Sequence, residues 1–203
     1  MLSQRVLLKR ILSKKAFLKR VSLLVSVLTL AACAAMQNGP QNLAATEEPP
    51  AIDNNDLYEV CAGDKVYVFD DVGLYQSYLQ TGQVGYSRVR DKADVQGRHV
   101  VFVLKTEDQN KPDDQIGAIG LYNVSLPAGA HFYGEIRSSN GRIYIFSRAG
   151  EMKPVQETGT AQFGYTQIAA GPQGETLVFV LGSDNNTKKP EALIAEYKKR
   201  HQL

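Results

Sequence analysis

The chain has 203 residues with 23 Lys and Arg against 21 Asp and Glu, but the charge is unevenly placed. Seven of the basic side chains fall in the first 32 residues, which hold no acid; the 171 residues beyond them carry 16 basic against 21 acidic side chains, a balance of −5. An acidic body repels phosphate backbones, so nucleic acid is excluded as the expected partner, while an apolar content of 43% supports a buried core.

The first 20 residues form a basic zone (Arg5, Lys9, Arg10, Lys14, Lys15, Lys19, Arg20), followed by the apolar run VSLLVSVLTLAA at Val21–Ala32. As a helix, this run spans about 18 Å, short of the roughly 30 Å hydrocarbon core of a bilayer. It fits the apolar region of an export signal, with the preceding positive charges held on the cytoplasmic side. The junction Leu30-Ala31-Ala32-Cys33 resembles the lipobox of bacterial lipoproteins. The resemblance implies diacylglyceryl transfer to the Cys33 thiol, cleavage between Ala32 and Cys33, and fatty acylation (palmitate or a similar chain) of the new amino group. Each buried CH₂ then contributes about 0.8 kcal/mol to membrane attachment. The competing reading is an uncleaved signal-anchor helix with an incidental Cys. Ala34 follows Cys33 where Asp would retain an enterobacterial-type lipoprotein in the inner membrane. For a Gram-negative cell, the resemblance therefore implies the outer membrane, with the body facing the periplasm.

From Cys33 to Asp56 the sequence is poor in large apolar residues and rich in Pro, Asn, Gln and Glu. Such a stretch cannot bury enough surface to offset its ordering entropy and reads as a tether. Beyond it the chain repeats itself. KVYVF at Lys65–Phe69 recurs as RIYIF at Arg142–Phe146, Thr81-Gly82 as Thr158-Gly159, and VFVL at Val101–Leu104 as Val178–Leu181. Each pair is separated by the same interval. Gly85-Tyr86 matches Gly164-Tyr165 with a two-residue insertion, and Tyr58 pairs with Tyr133. These matches define a first module at 57–123, a linker at 124–130 and a second module at 131–203.

Within a module, LYEVCAGDKVYVF and FYGEIRSSNGRIYIF each read as two extended runs around a Gly-containing turn. VYVF and IYIF are continuously apolar, as strands covered on both faces are. Asp70 or Asp71 can cap a helix over VGLYQSYLQT that presents Leu74, Tyr75, Tyr78 and Leu79 on one face and ends at Gly82. In the second copy Ser147 is the candidate cap, and Pro154 shortens or kinks the helix. GYSRVR with HVVFVL, and GYTQIA with TLVFVL, read as further hairpins. The ends of the modules differ. KKPEALIAEYKKR reads as a helix with Leu193, Ile194 and Tyr197 on one face, whereas QIGAIGLYNV, with two glycines, reads as an extended strand joining the halves. The expected fold is α+β: two tandem ββαββ modules related by duplication, each with a helix over a small sheet, packed as a pseudo-dimer. With its lipobox, this pattern is similar to uncharacterised proteobacterial lipoproteins, a resemblance that brings no activity with it.

No GxSxG, HExxH, phosphate loop or Ser/Lys pair is present, and no cofactor or metal is expected. Cys61 lacks a CxxC or Cys/His context and reads as a buried filler, with a Cys33–Cys61 disulfide as the rival were processing absent. His99, His131 and His201 lack ligand spacing, and His201 falls in a tail expected to fray. The loops TEDQNKPDD and GSDNNTKKPE mix Lys with acids and lack the Ca²⁺-loop ladder. Asp70 and Asp71 fit capping better than paired catalysis. Repeated tyrosines remain as groove candidates for a glycan or peptide: Tyr67, Tyr144, Tyr86 and Tyr165. Two functional expectations follow. One is a non-enzymatic, membrane-tethered binding or structural module with an envelope protein or glycan as partner. The other is an envelope hydrolase acting on cell-wall or lipid material through acids such as Asp70, Asp71 or Glu135, and it needs a cleft holding carboxylates of shifted pKa.

Overall fold

The structure, a computed structural model, describes residues 51–203. The export signal, its junction at Ala32 and Cys33, and most of the expected tether lie outside those residues. Strand β1 (Asp56–Ala62) turns into β2 (Lys65–Phe69) with Ala62 opposite Lys65. The two residues between them include Gly63 at φ 61°, the positive value a two-residue hairpin turn demands. Helix α1 (Val72–Thr81) follows, with Asp71 Oδ1 accepting from the Leu74 N–H at 2.8 Å and Gly82 closing it at φ 67°. Strand β3 (Tyr86–Val89) then pairs antiparallel with β4 (His99–Leu104), and β4 lies parallel to β2.

Helix α2 (Gly117–Tyr122) leads to a second series: β5 (Tyr133–Arg137), β6 (Arg142–Phe146), α3 (Met152–Thr158), β7 (Gly164–Gln167), β8 (Thr176–Val180) and α4 (Glu191–His201). α3 is three residues shorter than α1, is entered through a 3-10 turn, and carries Pro154 in its first turn, where no N–H bond is lost. Ser147 does not cap it. α4 buries Leu193, Ile194 and Tyr197 and finishes on Lys198, Lys199, Arg200 and His201, as its pattern predicts.

All eight strands form one mixed sheet, in the order β3-β4-β2-β1-β5-β6-β8-β7. The sequence reading gives each module its own small sheet; instead β1 and β5 pair in parallel at the centre and fuse the two. From either edge to the middle, the two halves run through the same succession of strands. The halves are inverted across the sheet. α1 and α4 cover one face, with Tyr75, Leu193 and Tyr197 in its core; α2 and α3 cover the other, with Ile119, Leu121, Met152 and Val155. Val66 and Val68 point into the α2/α3 face, whereas the matching Ile143 and Ile145 point into the α1/α4 face. Because both faces are covered, β2 and β6 read as unbroken apolar runs rather than alternating ones.

Three sequence expectations are corrected. QIGAIGLYNV is not a strand, because Gly117–Tyr122 is helical. Every residue of α2 is buried, so no polar face exists to mark a helical period. Its glycines provide clearance: a Cβ at Gly117 would strike the Asp53 carbonyl and the Asp70 carboxylate, and one at Gly120 would come within 2.7 Å of Leu126. Tyr165 is not the counterpart of Tyr86; it sits opposite Phe179 where Arg88 sits opposite Phe102, so the insertion read from sequence is not seen in the strand register. Tyr58 likewise does not correspond to Tyr133, since Tyr58 lies opposite Phe69 while Gly134 lies opposite Phe146.

Candidate functional site

The hairpin registers bring out a pair of residues that the sequence matches conceal. Glu59 lies opposite Val68 and Glu135 opposite Ile145, so each half places a glutamate at the same point of its first strand, on opposite faces of the sheet. Both side chains are sealed, Glu59 at 1% exposure and Glu135 at 0%. Each is held by a helix of the other half. Glu135 accepts from the Tyr75 hydroxyl of α1 at 2.6 Å, and also from Tyr133 at 2.6 Å, with His201 Nε2 at 2.7 Å. Glu59 accepts from the Gln156 amide of α3 at 2.5 Å.

Around Glu135 a polar network ties α1, α4 and the centre of the sheet together. Arg137 donates to the Tyr75 oxygen at 2.7 Å and to Glu175 at 2.6 Å. Arg200 donates to Asp56 at 2.9 Å and Tyr58 at 2.5 Å, and lies 4.2 Å over the Tyr133 ring. Tyr58 stacks on Tyr75 at 4.5 Å between centroids. Burial, reinforced by the Glu135 charge, drives the Tyr75 and Tyr133 phenols far above their ordinary range, so they stay hydrogen-bond donors. His201, expected in a fraying tail, is a member of this network. On the opposite face Glu59 has fewer donors, and burial pushes its carboxyl up to about 7, opposed mainly by the Gln156 amide and Arg98. The Cys61 thiol is raised by burial and partly countered by Arg98, whose guanidinium lies 2.8 Å from Sγ. Cys61 is only half-buried.

An open cleft lies at the carboxyl ends of the parallel pair β2 and β4. Asp70 and Lys105 follow those strands directly, and with Ala51–Asp53, Glu107, Asp108, Lys111, Gln115 and Gly117 they line a volume of about 640 Å³. Asp70 is 3% exposed, with its Oδ2 accepting from the Ala118 N–H at 2.9 Å. Burial raises its pKa, against the pull of Lys105 and that backbone donor. Lys105 Nζ stands 3.6 Å from Asp70 Oδ1 and 3.8 Å from Asp53 Oδ2. Asp71 caps α1, whereas Asp70 turns its carboxylate to the Ala118 N–H. A second cleft of similar size lies at the start of α4, among Tyr133, Ser147, Asn185, Lys188 and Arg200.

The four repeated tyrosines do not meet. Tyr144 is buried in the α2/α3 core, donating to the Gly159 carbonyl at 2.9 Å, while Tyr67 packs on the other face against Tyr78. Tyr86 and Tyr165 belong to the two edge strands, at opposite ends of the sheet. Sequence reasoning named Asp70 and Glu135 but passed over Lys105, Glu59, Arg137 and Arg200. Lys105 follows β4 as Asp70 follows β2, and the parallel β2–β4 pairing brings the two together. Among the described residues, no cluster of three or more His, Cys, Asp or Glu side chains is arranged to hold a metal, and no helix is long and apolar enough to cross a membrane. Compared with known proteins, the chain matches no family model, no curated protein sequence and no solved structure.

Proposed function

We propose that this chain is a lipid-anchored protein of the cell envelope, acylated at Cys33 and held at the outer membrane facing the periplasm, whose body is a non-enzymatic binding or structural module. The anchor rests on Leu30-Ala31-Ala32-Cys33 directly behind a basic zone and a twelve-residue apolar run. The observation that carries the module reading is the use of the two buried carboxyl groups. Glu59 and Glu135 are shut away from solvent and spent on joining one half to the other. In the same reading the halves are copies of one ancestral unit packed as an internal pseudo-dimer, supported by the repeated strand order and by the inversion of matching residues across the sheet.

The anchor is tested by feeding cells a labelled fatty acid and replacing Cys33 with Ser. Label and membrane fractionation are both lost if Cys33 is acylated; retention of either sinks the assignment. A second reading, an envelope hydrolase, draws on one observation: Asp70 is a buried carboxyl of raised pKa in an open cleft beside Lys105. Turnover of a peptidoglycan or phospholipid substrate that disappears in Asp70→Asn would establish it over the module reading.

A further inference from the structure

The cleft behind β2 and β4 has polar groups left over after its own bonds are made. Both distances from Lys105 Nζ, 3.6 Å to Asp70 and 3.8 Å to Asp53, are too long for direct hydrogen bonds. They are short enough for one oxygen at about 2.8 Å from both partners to bridge them. Lys111, the other cation of the cleft, is already committed to Asp108 at 2.7 Å, so Lys105 is the seat's donor. Asp70, held from the far side by the Ala118 N–H, presents Oδ1 as its acceptor.

Charge narrows what fits. An anion entering this cleft meets Asp53, Asp70, Glu107 and Asp108; a cation meets Lys105 and Lys111. A neutral group that both gives and takes a hydrogen bond satisfies the ammonium and the carboxylate together, with no net charge to desolvate. That is the chemistry of a hydroxyl. The cleft's volume of about 640 Å³ suits a small ligand. The Gln115 amide and the exposed Glu107 add partners for neighbouring hydroxyls, and Ala51 and Ile52 offer an apolar patch for C–H groups. Among the described residues no aromatic ring lines the cleft, so the ligand is gripped by its hydroxyls rather than by stacking.

We propose that the Lys105–Asp70 cleft is a binding site for a polyhydroxylated ligand, a sugar or polyol, with one hydroxyl accepting from Lys105 and donating to Asp70. This rests on the binding-module reading above and gives it a ligand class. The test uses the full-length acylated protein in detergent micelles, with saturation-transfer NMR of three probes: the trimer of N-acetylglucosamine, glycerol, and a neutral blocked tripeptide. A sugar or glycerol signal is expected, weakened about tenfold or more in Lys105→Met, as loss of a charged hydrogen bond requires. Lys105→Arg keeps the charge between Asp53 and Asp70 but changes the donor geometry; it is expected to retain the fold by thermal melting and still lose the signal. Binding of the tripeptide alone, or hydroxyl binding that ignores both variants, overturns the proposal. A parallel pull-down of cell-wall sacculi and envelope proteins separates the two levels. Capture by the wild type without sugar binding overturns the ligand class and leaves the module reading standing, whereas capture of nothing in either assay overturns both.

Discussion

At the scale of single residues, Glu59 is the most informative group in the molecule. Its carboxyl titrates at about 7 in the folded chain against 4.5 for an ordinary glutamate. Between those values the unfolded chain gives up its proton while the folded one keeps it, so stability falls as pH rises through that window and is constant outside it. From pH 5 to 7.5 this contribution weakens folding by about 2–3 kcal/mol. Glu59→Gln is therefore expected to gain stability relative to wild type by that amount between the two pH values, read from urea unfolding; parallel curves would refute it. Glu135 gathers Tyr75, Tyr133 and His201 around one buried carboxyl. Glu135→Ala strands the Tyr75 and Tyr133 hydroxyls and His201 in the core and is expected to cost about 3–5 kcal/mol in chemical denaturation. Neither role is legible in sequence. A Glu inside EVCA or GEIR looks like a solvent-facing strand residue, whereas in the structure helices cover both faces of the sheet.

At the scale of elements, local signals with a local cause were readable. Asp71 before α1 acts through its carboxylate on the helix's first turn, Gly82 after it through its own backbone, and both hold. Asp71→Ala is expected to cost about 1 kcal/mol through the lost cap. Gly82→Ala costs about 1–2 kcal/mol through left-handed strain. For a domain of this size each is a drop of a few degrees in melting temperature, and calorimetry checks both. α2 was not readable, because its glycines answer to Asp53, Asp70 and Leu126, residues distant in the chain or folded back onto it. Gly117→Ala is accordingly expected to destabilise far more than an ordinary Gly→Ala in a helix, where the change is favourable by about 1 kcal/mol. A stabilised Gly117→Ala variant would mean that α2 does not pack against the Asp53 carbonyl.

At the scale of the whole molecule, the repeat in the sequence points to two halves but not to how they join. The parallel β1–β5 pairing depends on backbone groups, which leave no trace in side-chain pattern. The cross-half bonds Tyr75–Glu135 and Gln156–Glu59 make each half the other's partner for a buried carboxyl group. Separately produced fragments 51–125 and 126–203 are expected to stay unfolded alone and to regain dispersed NMR spectra when mixed. Independent cooperative folding of either fragment would show that the halves are self-sufficient. The candidate cleft was half legible, as Asp70 stood out beside Asp71 while Lys105 became its neighbour only through the β2–β4 crossover.

The chain enters this body at β1, a strand bonded to both halves, in antiparallel to β2 and in parallel to β5. Its approach is pinned just before that point: Asn54 and Asn55 offer their carbonyls to the N–H groups of Gly129 and Tyr133 at 2.8 and 2.7 Å, and Arg200 grips Asp56. A pull on the N-terminal segment along the strand would therefore load two ladders of hydrogen bonds at once, in shear, instead of peeling an edge strand bond by bond. Whatever tugs on this protein from its N-terminal side meets the middle of the sheet, where rupture must be collective.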